Sequence, residues 1–126
     1  MHRSRLGAIL IDCEGDDLEV ATAFWSRALG YPPGDAGPDD NPRYRPLRAP
    51  PDAVQVELQR VEHPSRVHID IETDNIDAEV ARLVELGATE VARIHGWCVM
   101  RAPSGHRFCV VGPQRRDFEQ SANVWE

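Results

Sequence analysis

The chain has 126 residues, 41% of them apolar, and a formal net charge of −7. That length suits one domain able to bury a core without covalent staples. The acidic balance, with no long Lys/Arg cluster, argues against nucleic-acid binding. The apolar runs are too short for a membrane span or a signal-peptide core, so a cytoplasmic protein with no membrane partner is expected. Cys13, Cys98 and Cys109 are odd in number and form no CxxC pair. This disfavours a disulfide framework and a structural zinc site.

In chain order, LGAILIDC reads as a strand with Ile9, Ile11 and Cys13 on one face and Ala8, Leu10 and Asp12 on the other. The stretch 16–30 then reads as a helix, with Leu18, Ala21, Trp25, Ala28 and Leu29 on one stripe. Asp16 and Glu19 have the spacing of a capping box, and Gly30 stands where a helix leaves through left-handed backbone. The Pro/Gly/Asp-rich segment 31–40 is expected to be a loop. AVQVELQRV alternates, with Val54, Val56 and Leu58 opposite Gln55, Glu57 and Gln59.

The pattern then repeats. RVHIDIE places Val67, Ile69 and Ile71 against His68, Asp70 and Glu72, and Asp70 is the apparent twin of Asp12. Residues 74–87 read as a second helix with Ile76, Val80, Leu83 and Val84 on its stripe, a weaker Asp74/Asp77 cap, and Gly87 at its end. LRAPPD at 47–52 is echoed by MRAPSG at 100–105. WCVMR sends Trp97, Val99 and Arg101 one way, and HRFCVVG sets Phe108 and Val110 against Arg107, Cys109 and Val111. Two copies of strand, helix and further strands make an α+β protein, with a helix over the apolar face of each sheet. The tail, 114–126, carries Phe118, Val124 and Trp125, which either hang loose or dock on a neighbour.

His63, His95 and His106 sit in turns, where solvent-side roles are the plain reading. His68 shares its strand face with Asp70, which suits a proton-handling or ligand-anchoring histidine. The alternative is a histidine that merely satisfies its neighbours in a half-buried sheet.

The stretches LGAILIDCEGDDLEVATAFWSRALGYPP, LQRVEHPSRVHIDIETDNIDAEVARLVELGATEV and WCVMRAPSGHRFCVVGP resemble the vicinal oxygen chelate superfamily, above all its glyoxalase-like and bleomycin-resistance-like domains. The resemblance runs from about Leu6 to Pro113. It implies a single domain of two βαβββ modules, about 5–62 and 66–113, forming a half-open barrel around a ligand cup. In metal-dependent members one divalent ion sits on four ligands, His, Glu or Gln, from the first and last strand of each module.

Carried over, that pattern makes His68, Glu57, Gln59 and Cys109 the metal candidates. His68 and Glu57 become the catalytic candidates, and Leu10, Asp70, Trp97, Arg101 and Arg107 the lining of the cup. Aligning the two Ala-Pro echoes puts Glu57 nearest to Cys109. Leu10 and Ala8 cannot ligate, and Cys109 replaces the usual glutamate, so the four-ligand site is incomplete.

The leading expectation is therefore a homodimeric, small-molecule-binding protein with a degenerate metal site. One alternative is a metal-dependent lyase, isomerase or dioxygenase of the glyoxalase type with an unusual ligand set. Another is a protein that sequesters a large cationic drug, with which the acidic charge agrees.

Overall fold

The computed structural model describes residues 1–35 and 41–126; the rest of the expected 31–40 loop lies outside the described residues. Eight strands and three helices are described: β1 (His2–Glu14), α1 (Glu19–Leu29), β2 (Tyr44–Pro46), β3 (Gln55–Val61), β4 (Arg66–Thr73), α2 (Ile76–Glu85), β5 (Thr89–Ile94), β6 (Trp97–Arg101), β7 (Arg107–Val111), α3 (Phe118–Ser121) and β8 (Asn123–Trp125). The fold is α+β. Its residues cluster into two compact units, one of residues 8–67 and one of residues 1–7 with 68–126. None of the described helices is long and apolar enough to cross a membrane.

In the unit 8–67, β3 lies between β2, which it pairs antiparallel, and β1, which it pairs parallel. Cys13, Val56 and Leu58 point to the helix side and form a core with Leu18 and Leu47, against which Ile11, Ala21, Trp25 and Tyr31 pack. The α1 stripe is shorter than the periodicity predicts. Ala28 and Leu29 are exposed, while Thr22 and Ser26 are buried. Asp16 does not cap this helix; Asp17 accepts from the Glu19 amide instead, two residues on.

Gly30 closes α1 at φ 72°, and its amide donates to the Ser26 carbonyl. A Cβ there would meet nothing within 4 Å, so the whole cost of a side chain is backbone strain. Gly30→Ala is accordingly expected to lower stability by about 1 kcal/mol, read as a shift in the denaturant midpoint at constant m.

In the other unit, β4 pairs parallel with β7, β7 antiparallel with β6, and β6 antiparallel with β5. Cys98, Met100, Phe108 and Val110 form its core with Val80, Leu83 and Ala88, and Ile71 and Ile76 pack on it. Alternation sends one residue of each pair inward beneath α2 and leaves the other on the opposite face. Asn75 caps α2 through the Ala78 amide. Asp74, the expected cap, accepts from the Arg3 amide instead. Val84 lies outside the buried stripe, and Glu79 is wholly buried in its place.

The tail docks on its own unit. Phe118 is buried, β8 pairs antiparallel with β1 at His2–Ser4, and Trp125 donates from Nε1 to the Ser4 hydroxyl. The Arg82 guanidinium stacks 4.0 Å from the Trp125 ring centre. The aromatic end of the tail is therefore engaged within the chain.

Candidate functional site

The sheet face away from α2 is built by register. Asp70 lies beside Cys109, Cys109 beside Val99, Arg107 beside Arg101, and Val111 beside Trp97. Two-residue periodicity adds His68 to that face. His68, Asp70, Trp97, Arg101, Arg107 and Cys109 thus share one surface of one unit.

Three of them converge. The imidazole of His68, a carboxylate oxygen of Asp70 and the thiol of Cys109 lie within 4.8 Å of one another, all half-buried. His68 Nε2 is 3.7 Å from Asp70 Oδ1. Two strands supply all three groups. His68 and Asp70 are successive outward positions of β4, and parallel pairing brings Cys109 of β7 level with Asp70.

Donor chemistry decides which ion this trio suits. One nitrogen, one oxygen and one sulfur match a borderline-soft ion such as zinc, for which mixed three-residue sites leave a fourth position open. Tetrahedral zinc with such ligands sets its donors about 3.3–3.8 Å apart. The His68–Asp70 separation of 3.7 Å already falls in that range, and all three donors lie within 4.8 Å of one another. A hard ion such as Mg²⁺ or Ca²⁺, which asks for six or more oxygens, does not fit. The residues present therefore fit a borderline-soft divalent ion.

Around this centre the face is cationic and open. Arg101 and Arg107 are exposed and directly opposite each other across β6 and β7. Two like charges placed so disfavour each other unless an anion lies between them. Arg107 is two residues from Cys109 on the same strand, roughly 7 Å away. Trp97 is 38% exposed and offers an apolar surface on the same side.

The remaining expected site residues lie in the unit 8–67. Leu10 is buried beside Glu57 in the parallel register of β1 and β3, and Asp12 stands beside Gln59. If Asp12 is the twin of Asp70, register makes Gln59, not Glu57, the counterpart of Cys109. It also makes Leu10 the counterpart of His68. Gln59 donates from Nε2 to the Tyr44 hydroxyl at 3.1 Å. Arg66 Nε approaches the buried Asp12 carboxylate at 3.9 Å.

Glu72, the third acidic residue of RVHIDIE, has a different role from His68 and Asp70. It is fully buried, ion-paired by Arg5 and Arg115, and accepts from the Gln114 amide. Sequence reasoning places it on the polar face but cannot see these partners, which come from the two far ends of its unit. Buried Cys13 and Cys98 sit in the cores, where burial pushes both thiols up in pKa. Neither is suited to nucleophilic work.

The model of the glyoxalase-like domain family matches residues 8–111, and the chain belongs to that family, within the vicinal oxygen chelate superfamily. Among solved structures it is similar to a hypothetical protein from Bacillus halodurans C-125, at 13% identity and TM-score 0.65, over 90% of this chain and 96% of that one. It is also similar to methylmalonyl-CoA epimerase from Mycobacterium tuberculosis, at 18% identity and TM-score 0.61, over 88% and 89%. The Streptomyces coelicolor methylmalonyl-CoA epimerase matches at 17% identity and TM-score 0.54, over 86% and 93%. At such identities the likeness establishes the fold alone. No curated protein is significantly similar to the chain in sequence.

Proposed function

We propose that this glyoxalase-like protein binds a small anionic organic molecule on the face bearing His68, with a borderline-soft divalent ion held by His68, Asp70 and Cys109. The convergence of those three side chains within 4.8 Å carries the reading. When bound, such an ion supplies Lewis acidity to an oxygen of the ligand. His68 and Asp70 supply nitrogen and carboxylate donors, and Cys109 selects against hard ions. Arg101 and Arg107 hold an anionic end of the ligand, and Trp97 covers its apolar part. That pair of arginines favours an anion over the large cationic drug that the net charge alone would suit.

The three-donor set takes the place of the expected His68, Glu57, Gln59 and Cys109, with Asp70 moved from lining to ligand. The metal-free binding protein stays as the second reading, favoured by the 3.7 Å approach of His68 to Asp70, a pair able to anchor a ligand directly.

The test is metal content and cobalt spectroscopy. Protein dialysed against zinc is expected to retain about one equivalent. Both His68→Ala and Cys109→Ser are expected to bind at least about tenfold more weakly. The cobalt-substituted protein should show a thiolate charge-transfer band that Cys109→Ser removes. Substoichiometric metal in the wild type, or a band that survives Cys109→Ser, would sink the ion centre. Ligand binding lost in His68→Ala without any metal would then support the second reading.

A further inference from the structure

A second surface, unrelated to the donor cluster, lies within the unit 8–67. A groove of about 610 Å³ runs between α1 and the segment from Ser65 to Val67. Its floor and walls are Ile11, Ala21, Trp25 and the exposed side chains of Val20, Phe24 and Val67. Those three are 82%, 61% and 57% exposed, a concentration of apolar surface that a folded chain leaves open at a cost unless something covers it. Phe24 and Trp25 meet edge to face at 5.0 Å and 87°, which leaves the Phe24 ring in solvent at the groove mouth.

The rim gives the sign of the occupant. Glu14 and Asp17 border the groove and are exposed, Asp12 lies deeper, and among the described residues Arg66 is the single basic residue lining it. A second copy of a chain with net charge −7 would bring like-charged rims together. A cationic partner meets complementary charge, and its Lys or Arg side chains can lie over the open Phe24 ring. A groove bounded by one helix and one short segment, with Val20 and Phe24 one helical turn apart, suits a single amphipathic element with matching apolar anchors.

We infer that this groove docks a basic amphipathic segment of a partner protein, its apolar residues seated on Val20, Phe24 and Val67 and its cations on Glu14 and Asp17.

The inference is tested by fluorescence anisotropy with a labelled helical peptide of about 18 residues, built from leucine and lysine with leucines at i, i+3, i+4 and i+7. An otherwise identical peptide with glutamate in place of lysine serves as control. The lysine peptide is expected to bind with a Kd on the order of 10 µM, more weakly as salt rises. Phe24→Ser, at an exposed position, is expected to weaken it at least about tenfold with the thermal midpoint unchanged. Glu14→Lys should weaken it and flatten the salt dependence. No binding to the wild type, equal binding to Phe24→Ser, or equal binding of the glutamate peptide would overturn the inference. A mass that doubles with concentration and is restored to monomer by Phe24→Ser would also overturn it, by giving the face to a second copy.

Discussion

Glu72→Ala is expected to lower the unfolding free energy by about 3–5 kcal/mol. Glu72 has no exposed surface, and the Arg5 and Arg115 side chains beside it are only 8% and 7% exposed. Removing the carboxylate leaves two guanidinium groups close together with little water. Arg5 keeps Asp117 at 2.9 Å and its stacking over Phe118, which softens the loss without replacing the buried partner. Gly7 is packed on the same carboxylate side chain, where an added Cβ would meet Glu72 carbons at 3.1–3.2 Å. Equilibrium denaturation at constant m measures the effect. A loss below about 1 kcal/mol would mean that the two arginines are satisfied elsewhere.

Glu79→Gln is expected to cost a comparable amount at neutral pH and to flatten the acid limb of the stability profile. Burial pushes the Glu79 carboxyl up, but hydrogen bonds from Arg82, His2 and Ser4 outweigh it and hold the group below its ordinary 4.5. The two arginine contacts are 2.8 and 2.9 Å, and His2 Nε2 is 2.8 Å away. A carboxylate whose folded pKa is depressed stabilises the fold fully above its unfolded value. That contribution is lost as the pH falls from about 4.5 through the folded value. Thermal midpoints of the wild type should therefore drop steeply in that window, and those of Glu79→Gln less so. Parallel curves would show that other carboxylates govern acid unfolding.

The repeat was legible because each element carries its own short-range signal. Alternation in LGAILIDC and RVHIDIE marks strands, and apolar stripes ending on Gly30 and Gly87 mark helices. The α2 cap falls one residue later than expected because Asp74 and Asn75 are adjacent capping side chains and the backbone entry selects Asn75. By contrast, α1 begins at Leu18 with no side-chain cap, and Asp17 holds only the Glu19 amide. The stripes were overextended at Ala28, Leu29 and Val84 because periodicity does not say where the sheet beneath a helix ends. Glu79 on α2 has no apolar signature, and its burial depends on His2 and Arg82. Of the donor cluster, the His68–Asp70 pair follows from alternation alone. Bringing Cys109 to Asp70 requires the register of β4 and β7, and only the register of β1 and β3 sets Gln59 beside Asp12 and Glu57 beside Leu10. β8 is three residues long, too short for any period to show.

The long reach of those first strand residues bears on how the chain is made. Arg5 finds Asp117 across 112 positions, and Ser4 finds Trp125 across 121. During synthesis, residues 8–67 can collapse on neighbours already emerged, whereas His2, Ser4 and Arg5 must wait for partners made 67 or more residues later. Closing such long loops is slow relative to local pairing. The rate-limiting event in refolding should therefore be capture of the early strand by the late tail, and Trp125, stacked on Arg82, is a built-in fluorescent reporter of that moment.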